Sequence, residues 1–141
     1  MMKLTFLLVL MFVGMAANSQ QQSQKIFKIS TFTKVPSDME GCGENLFLNT
    51  QDEKTERFIF YTDYGRALVC VNGKIILTTY SDKSQEKGSR VFSNKDYTLL
   101  IKYGRIKKTG DEDYEIKNAV IILKYHSKVV WTRSVIGGGG C

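Results

Sequence analysis

Short apolar runs separated by turns rich in Gly, Asn, Asp and Ser recur along most of the chain, and their period is two. Tyr97, Leu99, Ile101 and Tyr103 fall on one face of an extended segment, with Thr98, Leu100 and Lys102 on the other. That alternation is the mark of a strand with one face on a core. Ala119–Tyr125 repeats it, and after the turn His126-Ser127-Lys128 the run Val129–Ile136 returns around Trp131, which predicts a closing hairpin. Ala67–Val71 and Lys74–Tyr80 flank Asn72-Gly73. This dipeptide suits the two φ > 0 positions of a type I′ turn, so a second tight hairpin is expected there.

Further β-prone runs are Lys25–Thr33 (ended by Pro36), Leu46–Leu48, Phe58–Thr62, Arg90–Phe92, Arg105–Lys108 after Gly104, and Tyr114–Lys117. Pro36–Asn45 reads as a loop, Asn49–Arg57 as a charged turn, Ser81–Ser89 as a mixed-charge loop and Thr109–Asp113 as an acidic turn. No helical stripe follows the first apolar segment. The expected fold is mainly β, a single antiparallel β-barrel or β-sandwich of about eight to ten short strands, since each sheet must bury its apolar face.

The amino terminus departs from this pattern. Met1-Met2-Lys3, the apolar run Leu4–Val13 and the small residues up to Ser19 have the three-part grammar of a secretory signal. The apolar stretch is shorter than the roughly 20 residues that cross a bilayer. The expected organisation is a signal peptide over 1–19, a flexible Gln/Ser tract over 20–24, one all-β domain over 25–136, and a glycine tail over 137–141 ending in Cys141. Export places the protein in the periplasm or outside the cell, with no transmembrane segment in the mature chain.

In that compartment the three cysteines matter. One disulfide plus one odd thiol is the simplest arithmetic. Cys70 with Cys141 is preferred, because a terminal cysteine on a glycine tether can reach a strand without imposing a chain direction. Cys42 with Cys141 is open on equal terms and would leave Cys70 as a buried strand thiol. Cys42 with Cys70 takes third place. The odd cysteine leaves room for a disulfide-linked partner. Four glycines lose much chain entropy when ordered, so Cys141 is expected to be bonded to something.

Chemistry is sparse. The single histidine, His126, lies in a turn, and no H-E-x-x-H pair, nucleophile elbow or C-x-x-C motif is present. Asp38, Glu40 and Glu44 do not follow a calcium-loop spacing. No catalytic residue, metal site or cofactor is therefore assigned, and enzymatic activity is not the expected role. The formal charge is +6, of which the signal's Lys3 supplies one. A basic exported chain is drawn to anionic surfaces, envelope polymers or acidic proteins. Candidate contact residues are Tyr64 and Arg66 in a turn, and Lys102, Arg105, Lys107 and Lys108 beside Tyr97 and Tyr103. Oligonucleotide-binding barrels mix basic and aromatic residues in this way, but export and the adjacent Asp111–Asp113 count against nucleic acid. Lysines on an edge strand also prevent sheet-to-sheet pairing.

A cysteine in an early strand and another at the carboxyl end, here Cys70 and Cys141, resemble the arrangement in periplasmic inhibitors of lysozyme. The Ser-Gly-x-x-Tyr signature expected of them is absent, Gly88-Ser89 being its nearest counterpart, and no family is assigned. The expected function is a non-enzymatic binding or structural role at the bacterial envelope or outside the cell, with an envelope polymer, an anionic surface or a secreted protein as partner. Inhibition of a secreted hydrolase such as lysozyme is one alternative. A small exported hydrolase using Asp111 and Asp113 is another.

Overall fold

The computed structural model describes residues 25–82 and 87–141; the signal-peptide and Gln/Ser-tract expectations fall on residues outside these. The strands are β1 (Ile29–Ser30), β2 (Gly43–Phe47), β3 (Phe60–Thr62), β4 (Arg66–Val71), β5 (Lys74–Ser81), β6 (Ser89–Ser93), β7 (Tyr97–Tyr103), β8 (Ile106–Lys108), β9 (Tyr114–Tyr125) and β10 (Lys128–Gly140). A short helix α1 (Thr50–Lys54) joins β2 to β3. All pairings are antiparallel, and the order β4-β3-β2-β10-β9-β7-β6-β5 returns to β4. Eight strands thus close an up-and-down barrel, with β1 added beside β4 and β8 beside β9. This decides between barrel and sandwich. Closure leaves fewer free strand edges to pair with other chains.

The seam is the β2–β10 pair, running from Ile136 opposite Phe47 to Gly140 opposite Gly43. The stretch read as a glycine tail is therefore strand. A side chain at Gly137 would run into the Asn45 carbonyl oxygen, so glycine is what lets β10 lie against β2 there. The seam also brings Cys42 to Cys141, which form the disulfide with Cα atoms 4.3 Å apart. The preferred pairing of Cys70 with Cys141 is not formed. Strand alternation turns Cys70 to the outside of β4, where it is buried and accepts a hydrogen bond from the Ser30 hydroxyl at 3.3 Å.

Inward-facing residues fill the middle of the barrel. Leu46, Phe60, Val69, Phe92, Leu99, Ile101, Ile121 and Leu123 are fully buried, and the Phe60 and Phe92 rings meet edge to face at 5.6 Å. A second cluster (Phe32, Met39, Tyr61, Leu68 and Cys70) forms where the segment before β2 crosses the outside of β3 and β4. Burial on both faces explains why Ala67–Val71 is apolar without interruption. The Asn72-Gly73 turn has φ of 52° and 78°, both positive as a type I′ turn requires. The Asn72 side chain ties down the incoming segment, accepting from the Lys28 N–H at 2.7 Å and donating to the Ile26 carbonyl at 3.1 Å.

Further stretches differ from the sequence expectation: the strand expected over Lys25–Thr33 is only Ile29–Ser30, and Tyr114–Lys117 runs on without a break into Ala119–Tyr125 as β9. The charged turn after β2 winds into α1 because Asn49 caps it, its Oδ1 accepting from the Asp52 N–H at 2.8 Å. The loop expected over Pro36–Asn45 is shorter, since β2 already starts at Gly43.

Candidate functional site

Strand β7 begins at Tyr97 and finishes at Tyr103, so these two tyrosines mark opposite ends of the barrel. The Tyr103 end holds the most concentrated polar chemistry of the described residues. In β2, Glu44 shares the inward phase with Leu46, and its side chain is 1% exposed. Burying a carboxylate is costly unless its oxygens are hydrogen-bonded. Here each oxygen has a phenol donor. Tyr103 donates to Oε1 and Tyr114 to Oε2, both at 2.6 Å. These short charge-assisted bonds are the strong kind. Burial first, and the Glu44 carboxylate after it, push both phenols well above the ordinary tyrosine range, so they stay protonated and remain donors.

Tyr64 braces the cluster. Its hydroxyl lies 3.0 Å from that of Tyr114 and 3.1 Å from the Gly43 carbonyl oxygen, and it accepts the Gly140 N–H at 3.1 Å. The residue has a left-handed φ of 70°. The Asp63 carboxylate holds that turn by accepting from the N–H groups of Gly65 (3.1 Å) and Arg66 (2.6 Å). Gly139 completes the arrangement, because any side chain there would overlap the Tyr114 phenol.

Arg90 enters from β6 on the same phase as Phe92. Its guanidinium packs 5.0 Å from the Tyr64 ring centroid and 5.6 Å from that of Tyr103, a cation–π contact with each ring. Nη1 faces Glu44 Oε2 at 3.7 Å, and it is buried without a hydrogen-bond partner. The rest of the side chain is partly open, at 35% exposure. Burial works against the charge on Arg90, but its surroundings, with the Glu44 carboxylate among them, outweigh it and raise its pKa. Above this floor opens a cleft of about 520 Å³, lined by Arg90, Tyr103, Ile106, Lys108 and Tyr114. That is within the range of small-molecule sites.

The residues singled out from sequence are dispersed. Tyr64 belongs to the cluster and Lys108 to the cleft wall. Arg66 is engaged elsewhere. It pairs with Asp38 at 2.8 Å and Asp63 at 2.7 Å, tying the turn before β2 to the β3–β4 corner. Lys102 points outward from β7, opposite Ser89, while Arg105 and Lys107 are exposed at and beside β8. Glu44, Arg90, Tyr103 and Tyr114 are the cluster residues absent from the candidates read from sequence. For Glu44 and Arg90 the signal was a charged residue on the inward phase of a strand, Glu44 with Leu46 and Arg90 with Phe92. His126 lies at the opposite end, its Nε2 2.9 Å from Asp96 Oδ1 and its ring stacked 4.2 Å from Tyr125. A smaller cavity of about 400 Å³ there is crossed by Lys25, which donates to the Tyr125 hydroxyl at 2.8 Å. Asp111 and Asp113 are exposed in the turn before β9.

Both Glu44 oxygens already accept hydrogen bonds, and the donors are tyrosines whose protons are held tightly. No helix among the described residues is long and apolar enough to cross a membrane. Comparison of the chain with protein-family models, with curated proteins and with solved structures gave no match.

Proposed function

We propose that this protein is an exported, non-enzymatic binding domain whose ligand is a small molecule taken into the cleft at the Glu44 end of the barrel. One observation carries the reading. A cleft of about 520 Å³ sits over a pre-organised polar floor, while the middle of the barrel is packed solid. Such a floor fixes orientation at little entropic cost on binding. The signal-like amino terminus and the Cys42–Cys141 bond support an oxidising, exported setting.

The test is a thermal-shift screen of a small-molecule library on the mature chain, repeated with Ile106→Trp. Ile106 is exposed and lines the cleft, so the larger ring fills it without touching the core. Ligands that stabilise the wild type and lose their effect in Ile106→Trp support the reading. Ligands that stabilise both equally, or an absence of any ligand, oppose it. A second reading, contact with an anionic envelope polymer, draws on the exposed Arg105, Lys107 and Lys108 around Ile106. Charge reversal at all three would abolish retention on envelope extract if that contact exists, and unchanged retention would remove it.

A further inference from the structure

We infer that the cleft selects a small monoanion, a carboxylate carried on an apolar body, with Arg90 and Lys108 reading the charge. This rests on the cleft being the binding site and adds the class of ligand.

The charge pattern argues against a cation. Among the described lining residues the one anion, Glu44, is buried and has both oxygens occupied by Tyr103 and Tyr114. Among those residues a cationic ligand would meet no open carboxylate. The groups that do face the cleft are Arg90, partly exposed, and Lys108, exposed on β8. Glu44 orients Arg90 without consuming it. The two approach at 3.7 Å as an ion pair, and the hydrogen bonds to Glu44 come from the tyrosines instead. A guanidinium has five N–H donors in a rigid fork suited to a planar carboxylate. The Tyr64 and Tyr103 rings, 5.0 and 5.6 Å away, restrain that group where it lines the cleft.

Size and wall chemistry narrow the class. Among the described lining residues, two cations set against one buried carboxylate leave a single net positive charge, which matches one negative charge. Ile106 and the rings of Tyr103 and Tyr114 supply an apolar wall for the ligand's body. An aromatic body would stack on them.

Three probes with one body and different heads test this by isothermal titration calorimetry on the mature chain: phenylbutyrate, phenylbutanol and phenylbutylamine. Phenylbutyrate is expected to bind at least about tenfold more tightly than the other two, the effect of one charge-assisted hydrogen bond. Lys108→Gln and Arg90→Gln should each weaken phenylbutyrate by about tenfold while leaving phenylbutanol unchanged. Lys108 is exposed, so its variant reports even if the Arg90 variant does not fold. Equal affinities for the three heads, no binding of phenylbutyrate, or indifference to Lys108→Gln would overturn the inference. Ile106→Trp separates the two levels. Loss of all binding in that variant without any head-group preference removes only the ligand class. Phenylbutyrate binding that survives it removes the cleft itself.

Discussion

Replacing Gly139 by alanine probes the seat of the Tyr114 ring while leaving every side chain of the cluster chemically intact. A Cβ at this position would overlap the Tyr114 hydroxyl, and would stand 2.6 Å from its Cζ and 2.9 Å from the Gly43 carbonyl oxygen. The backbone cannot retreat, because Gly139 is paired with Glu44 on one side and Tyr114 on the other. The ring must therefore swing away, taking its hydrogen bond from Glu44 Oε2. Overpacking costs about 1–3 kcal/mol. Leaving a buried carboxylate oxygen short of a donor adds about 1–3 kcal/mol. The expected loss is about 2–6 kcal/mol, or roughly 8–24 °C in Tm at about 4 °C per kcal/mol for a domain of this size.

Urea unfolding of Gly139→Ala, Tyr114→Ala and the double variant measures this. With the ring gone, the Gly43 carbonyl contact is left, so the second substitution should cost about 1 kcal/mol and the cycle should show coupling of about 1–5 kcal/mol, the difference from the single-variant cost. Equal costs of Gly139→Ala in both backgrounds would refute the argument that this glycine exists to seat Tyr114.

Other expectations follow from the same geometry. The Cys42–Cys141 bond closes a separation of 99 residues, so replacing both cysteines by serine should lower unfolding free energy by about 4–5 kcal/mol in the chain-entropy limit; an unchanged urea midpoint would contradict this. Arg66 holds Asp38 below the ordinary 3.8, and its hydrogen bonds to Asp63 overcome burial to do the same there. Both carboxyls protonate first in the unfolded chain, so their contribution is complete above about pH 4 and is lost as pH falls through their lower folded values. A urea midpoint followed into acid should decline there, and Arg66→Gln should flatten the decline; an identical acid limb would count against the pairs. Cys70, 7% exposed beneath Phe32 and Tyr61, should resist a thiol reagent in native buffer and react once denatured. Rapid native labelling would show that the cover over β4 is loose.

Much of the β architecture is legible in the alternation itself. Tyr97–Tyr103 and Ala119–Tyr125 sit where period two places them, and they pair residue for residue from Tyr97 opposite Tyr125 to Tyr103 opposite Ala119. The Asn72-Gly73 turn is readable because its backbone demand is local. Closure was hidden, since it depends on Gly137–Gly140, which have no side chains to carry a pattern. The disulfide was ambiguous for the same reason: the seam that aligns Gly43 with Gly140 is a long-range register. The site was hidden more deeply. Glu44 lies 59 residues from Tyr103 and 70 from Tyr114, and only barrel closure brings them together. Arg66, expected as a contact residue in a turn, is occupied by Asp63, 3 residues before it, and by Asp38, 28 residues before it, and only the fold brings Asp38 within reach.

The central claim is that the Glu44 end of the barrel receives the ligand, and backbone amide NMR of the mature chain titrated with phenylbutyrate tests it most directly. The account predicts saturable shifts concentrated at Ser89, Arg90, Tyr103, Ile106, Lys108 and Tyr114, fading along β7 and β9 toward the other end. Shifts centred on Lys25, Phe27, Tyr125 and Val129, or spread over the outer face without saturation, would contradict it.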